Sequence, residues 1–161
     1  MKEILEKISS YNLFNYLLPG VIFVIILRKI TQYDFVQNDI VIGLFLYYFI
    51  GLVISRFGSL VIEPILKKFK FVLFADYKDF VNTSKKDKKL EVLSEVNNTY
   101  RTLCAMFILL LAAKIYEKIC SKWIILKENS TTIIIILLII LFLSSYKKQT
   151  SYITKRVEAN K

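Results

Sequence analysis

Residues 133–143 read Ile-Ile-Ile-Ile-Leu-Leu-Ile-Ile-Leu-Phe-Leu, eleven apolar side chains in a row. Such a run has no period-two alternation, so it does not suit a strand of a membrane barrel. A helix, which satisfies its own backbone hydrogen bonds, is the way such a segment crosses lipid. Extended to its polar ends, it predicts a span over residues 131–146, closed by Lys147 and Lys148. Three other stretches share its character, at residues 11–27, 40–58 and 100–119. The last is long enough at about 1.5 Å per residue for a hydrocarbon core of about 30 Å. The expected fold is therefore all-α: one integral membrane domain over residues 1–161, with four transmembrane helices and a helical cytoplasmic central segment over residues 59–99.

Composition supports this class. Of the 161 residues 55% are hydrophobic, above the usual soluble share of about 45–50%, and 161 residues leave room for one compact unit. The formal charge is +10, from 23 basic and 13 acidic side chains. On a soluble domain that surplus would suggest nucleic acid. Here the cytoplasmic flanks of membrane helices account for it better, and nucleic acid is the minority reading. The Ile, Lys, Asn, Phe and Tyr bias is that of an A/T-rich bacterial genome.

Met1–Ser10 carries Ile4, Leu5 and Ile8 on one helical face, which predicts a short amphipathic helix at the membrane surface. No small-x-small cleavage pattern follows, so the N-terminus does not read as a removable signal. Asn15 and the pair Pro19-Gly20 interrupt the first span and predict a bend. A short polar connection, Ile30–Asp39, leads to the second span. There Gly43, Gly51, Ser55 and Ser59 are separated by multiples of four, with Tyr47 between, and Gly58 falls outside the series. Small residues at that spacing allow close helix approach in lipid, with the same chain or with another copy.

Beyond Glu63-Pro64, Ile65, Leu66, Phe69, Val72 and Leu73 alternate with Lys67, Lys68 and Lys70. This segment either lies on an anionic inner leaflet or extends the second helix. Asp76–Asn82 predicts a further helical turn, and Thr83–Lys89 the loop tip. From Leu90 an apolar stripe runs without a break toward the third span, with Glu91, Glu95, Asn98 and Arg101 on its polar face. Cys120–Ser130, with Trp123 as interfacial anchor, links the last two spans, and a polar basic tail ends the chain. The segment from Arg56 to Arg101 holds ten basic side chains. Together with the termini it puts 17 of the 23 on one side of the membrane. The positive-inside rule then makes that side, and both termini, cytoplasmic.

No catalytic or cofactor motif is present. There is no His, no phosphate-binding or dinucleotide loop and no nucleophile elbow. Cys104 and Cys120, if on one helix, stand about 24 Å apart, beyond disulfide reach, and neither has metal-site neighbours. No enzyme activity, cofactor or metal is expected. Glu91 with Glu95 reads as a solvated face. The better leads are groups at membrane depth, where charge is costly. Arg56, Lys114 and Glu117, with Asn15, Pro19 and Gly20, are candidates for a polar path or gate, while snorkelling and Lys114–Glu117 pairing are the simpler account. Lys67, Lys68, Lys70, Lys85, Lys86, Lys88, Lys89, Glu91, Glu95 and Arg101 are candidate contacts for lipid or a soluble partner.

Two functions follow: a homo-oligomeric channel or pore-type effector kept shut by dewetting, or an anchor or sensor subunit that recruits a cytoplasmic protein. A transporter normally needs more helices and inverted repeats. The four short spans, the basic stretches Lys67-Lys68-Phe69-Lys70 and Lys85-Lys86-Asp87-Lys88-Lys89, and the missing catalytic residues together resemble small membrane proteins of bacterial anti-phage defence systems. The membrane subunit of the Kiwa system is of this type. The resemblance is one of plan over the whole chain and carries no residue roles. It implies a bacterial inner-membrane oligomer that works with a cytoplasmic partner in antiviral defence.

Overall fold

A computed structural model describes residues 12–159, and every regular element among them is helical. Helix α1 covers Leu13–Ile30 and α2 covers Ile40–Lys68. They are followed by α3 (Tyr77–Ser84), α4 (Lys89–Cys120), α5 (Ile124–Glu128) and α6 (Ser130–Glu158). Met1–Ser10, expected as a surface helix, and the start of the first span at Tyr11 lie outside the described residues. The long helices run alternately up and down. Asn15 meets Thr102, and Ile30 meets Lys114, so α1 and α4 are parallel. Phe49 stacks on Phe142 and Ser59 meets Lys148, so α6 is parallel to α2, and both run opposite to α1 and α4.

Short polar residues start two of the helices, α2 and α3. The Asp39 carboxylate accepts the Val41 and Ile42 N–H groups, and Asp76 does the same for Lys78. This is how an Asp at the N-cap relieves unpaired amides of a first turn. α2 ends in a turn with Phe71 N–H on Leu66 O and Lys70 N–H on Lys67 O. Lys70 takes the left-handed position, at φ 56°, that such a cap usually gives to glycine.

Both prolines follow a π-helical turn. In α1 that turn is Leu13–Leu17, with Leu18 N–H bonded to Leu13 O, and Pro19 comes next. In α2 it is Gly58–Ile62, with Glu63 N–H on Gly58 O, before Pro64. Proline has no N–H, and its ring crowds the carbonyl four residues back, so one extra residue in the turn relieves the clash without ending the helix. The irregularity expected at Pro19-Gly20 takes this form. The stretch beyond Pro64 is likewise an extension of α2, as far as Lys68.

The core is shared by three helices: Leu27 of α1, Ile54 and Ile62 of α2, and Ala105, Met106 and Leu110 of α4. Two glycines bring α1 and α2 into backbone contact. A Cβ on Gly20 would stand 1.8 Å from the Tyr47 carbonyl oxygen, and one on Gly51 1.7 Å from that of Tyr16. Gly58 is buried too, against Ala105 and the Arg101 carbonyl. It falls outside the series of fours, but seven residues from Gly51 is almost two turns, so it shares that face.

Among the described residues three helices, α1, α2 and α6, are long and apolar enough to cross a membrane. The expected third span falls on α4, which is not one of them. Its unbroken apolar run, Leu103–Ala113, is bounded by Arg101 and Lys114 and covers only about 17 Å at the helical rise. α4 is one continuous helix of 32 residues, as its stripe from Leu90 predicts. The expected polar tail is also helical, since α6 continues to Glu158.

Replacing Gly51 by Ala drives a methyl group into backbone that has no rotamer to give. It is expected to cost at least about 1–3 kcal/mol. Gly43→Ala meets only the movable Tyr47 ring at 3.2 Å and the Gln37 side chain, and gains helix propensity of about 1 kcal/mol. Thermal unfolding in detergent micelles should show a large loss for the first and a change near zero for the second.

Candidate functional site: buried polar groups of the bundle

Two polar clusters are enclosed between the helices, one near the start of α1 and one about two turns further along α2, where that helix finishes. The first joins α1, α2 and α4. Asn15 is 1% exposed, Ser55 4% and Thr102 0%. Asn15 Nδ2 donates to Ser55 Oγ at 3.3 Å, Ser55 and Thr102 hydroxyl oxygens are 3.2 Å apart, and Thr102 Oγ1 donates to Asn15 Oδ1 at 2.8 Å. With Ser55 as donor to Thr102, the three bonds close a ring in which each side chain both gives and accepts. The Asn98 carbonyl, 2.9 Å from Thr102 Oγ1, is an alternative acceptor. Such a ring is cooperative and gives each of the three side chains a partner on another helix. Asn15, a candidate for a gate, is held by these bonds in the structure, and Pro19 and Gly20 are buried beside α2.

The second cluster surrounds Glu63, whose side chain is 7% exposed. Arg101 Nη1 of α4 donates to its Oε2 at 2.6 Å, and Lys67 Nζ, one turn on, to Oε1 at 3.0 Å. Lys148 Nζ of α6 lies 3.6 Å from the same oxygen. Lys148 also donates to the Ser59 carbonyl at 2.7 Å and to the Ser59 hydroxyl at 2.8 Å. The proline explains this carbonyl. In the π register Ser59 O faces residue 64, and Pro64 has no N–H to offer. An ammonium group from another helix fills the gap.

Aromatic rings surround the cluster. Lys67 lies over Phe74 at 3.8 Å from the ring centre, Lys148 over Tyr152 at 5.6 Å, and Tyr152 stacks on Tyr77 of α3 with centres 6.0 Å apart. One carboxylate thus faces three cations. Arg101 Nε is buried with no hydrogen-bond partner.

At the opposite end Lys114 and Glu117 do pair, at 3.1 Å, but they also tie α4 to α1. Lys114 Nζ donates to the Ile30 carbonyl, and Glu117 accepts the Gln32 N–H at 2.6 Å. A cation on the last carbonyls of α1 suits the negative end of that helix. Arg56 is half-buried and forms no ion pair among the described residues. Lys68, Lys70, Lys85, Lys86, Lys88, Lys89, Glu91 and Glu95 are exposed on α2, on the turn that ends it, on the loop after α3 and on the start of α4.

The structure therefore joins Asn15, Ser55 and Ser59 to Thr102, Lys148 and Glu63, none of which stands out as a site residue in the sequence, while Gly51 meets the Tyr16 backbone. The available signal was a lone acid before Pro64 in an apolar helix, four residues from Ser59. Gly43 stands apart, near Tyr47 and Gln37. Cys104 is exposed and Cys120 buried, both free and both on α4. Among the described residues no group of three His, Cys, Asp or Glu side chains could hold a metal ion. The chain matches no known family, no curated protein and no solved structure.

Two substitutions check these clusters. Glu63→Gln removes the one anion shared by three helices and is expected to cost about 3 kcal/mol or more, the range for breaking a buried ion pair. Asn15→Leu and Thr102→Val should be coupled in a double-mutant cycle by about 0.6–1.7 kcal/mol, as for hydrogen bonds between membrane helices. Both are read from unfolding in detergent.

Proposed function

We propose that the chain is a non-enzymatic, multi-pass protein of the bacterial inner membrane that anchors a soluble cytoplasmic partner through its basic end. One observation carries this reading. The polar groups enclosed among α1, α2 and α4 are bonded to one another, whereas the free lysines gather at one end, outside the apolar lengths of α1, α2 and α6. In this reading α4 is the fourth span, shielded from lipid on the side where it meets α1 and α2. The charges that flank its apolar run, Arg101 and Lys114 with Glu117, stand about 20 Å apart at the helical rise and reach toward the two interfaces along their side chains. Both termini and residues 59–99 face the cytoplasm by the positive-inside rule. The plan shared with membrane subunits of anti-phage systems favours antiviral defence as the setting.

A homo-oligomeric channel is the second reading. It is favoured by the apolar surface that α6 leaves uncovered beside α2, a groove lined by Phe49, Ile135, Leu138, Ile139, Phe142 and Leu143 among others. A second copy seated there would build an oligomer without the glycine stripe, which is used within the chain.

Purified full-length protein separates the two. The anchor reading expects a cytoplasmic protein that co-purifies with the wild type and is lost when Lys85, Lys86, Lys88 and Lys89 are all changed to Glu, and it expects silent planar bilayers. Reproducible current with no such partner reverses the choice. For topology, a cysteine introduced as Lys86→Cys in a chain that also carries Cys104→Ser and Cys120→Ser should resist impermeant thiol reagents in intact cells and react after lysis. Labelling in intact cells would overturn the orientation.

A further inference from the structure

The Glu63 cluster is not electrically closed. Arg101, Lys67 and Lys148 bring three positive charges to one carboxylate, and none of these groups is fully open to water. The Arg101 side chain is 18% exposed and that of Lys148 23%, while that of Lys67, at 43%, opens outward. Two charges held together in a partly desolvated site repel each other, and the repulsion is relieved by an anion from outside.

The surroundings specify what kind of anion. Directly after α2 the chain leaves helical geometry and exposes Phe69 (76%), Phe71 (78%) and Leu73 (85%), with Lys68 just before them and Lys70 between the two rings. Phe74, half exposed, carries Lys67 on its face. Large apolar side chains open to solvent beside unpaired ammonium groups fit a ligand with a negative head and hydrocarbon tails. A small hydrophilic anion would leave those rings uncovered.

We infer that the end of α2 is a binding site for the phosphate group of an anionic phospholipid. The phosphate is held by Lys67 on the outer side of the Glu63 cluster and neutralises the charge left over by Arg101 and Lys148. The acyl chains lie against Phe69, Phe71 and Leu73. This rests on the membrane reading above and adds a headgroup preference to it. Glu63 then serves as a fixed internal counter-charge, sufficient to hold the three helices together but short of neutrality. Selectivity for anionic over zwitterionic lipid follows, because a choline headgroup carries a cation of its own into a site that already has too many.

The test uses the full chain in neutral detergent, mixed with phosphatidylglycerol, phosphatidylcholine or inorganic phosphate, and reads retained lipid by native mass spectrometry and stability by thermal unfolding. Phosphatidylglycerol should be retained and should raise the melting temperature, whereas phosphatidylcholine and inorganic phosphate should do neither. Lys67→Gln, at an outward-facing position that leaves the Arg101–Glu63 pair intact, should weaken phosphatidylglycerol retention about tenfold, the loss of one charged hydrogen bond. Glu63→Gln should melt lower in phosphatidylcholine and regain more in phosphatidylglycerol than the wild type does.

Equal retention of the two lipids, or no effect of Lys67→Gln, overturns the site. Inorganic phosphate that stabilises as well as the lipid overturns the lipid assignment. Alkaline washing of cell membranes keeps the two readings apart. A chain that stays with the washed membrane yet shows no headgroup preference refutes the site alone, and one that washes off refutes the membrane reading itself.

Discussion

A polar side chain enclosed among apolar ones must find a partner or lose about 1–3 kcal/mol, and the arrangement of this bundle follows from that requirement on α2. Its buried polar residues, Ser55, Ser59 and Glu63, lie four residues apart on one stripe. Ser55 is satisfied by Asn15 of α1 and Thr102 of α4. Ser59 is satisfied by Lys148 of α6, and Glu63 by Arg101 of α4 with Lys148 close by. A single helix face thereby selects all three long neighbours and their registers. The glycines on the same side, Gly51 and Gly58, let those neighbours come close enough for the bonds to form.

The prolines act with this stripe. A π turn before Pro64 lets α2 run on to Lys68, so that Glu63 is held inside the bundle in mid-helix. It also leaves the Ser59 carbonyl without an amide, and Lys148 fills that position. The covering of α6 therefore depends on a backbone irregularity in another helix. α6 adds no residue to the shared core. It is held by the Phe49–Phe142 stack, by Lys148 and by the Tyr77–Tyr152 stack near its end, and its apolar stretch is otherwise uncovered. An uncovered surface of that size suits lipid or another chain better than water.

This economy of polar groups has a functional side. The buried side chains Asn15, Ser55, Ser59, Glu63 and Thr102 are consumed in pairing. What remains free is the string of lysines around α3 and the partly neutralised cations beside Glu63. In the proposed setting these lie together on the cytoplasmic face, so that one end of a mostly apolar bundle offers both a docking surface for protein and a seat for a lipid phosphate.

Much of the fold was legible in residues whose meaning is local. The run Ile133–Leu143 announces an apolar helix because its side chains leave the backbone no other partners. The stripe from Leu90 announces one unbroken α4, and the series through Gly51, Ser55 and Ser59 announces a contact face, since helical periodicity is a property of the chain itself. Identity of the contacts was not legible. That Gly51 meets Tyr16, that Thr102 completes a ring with Asn15, and that Lys148 reaches Ser59 depend on separations of 35 to 89 residues. Lys148 looked like a flank of the last span because a lysine reads the same whether it meets water or a buried carbonyl. Periodicity along one helix says which side is buried. Only the packing of four helices decides what each buried group finds there.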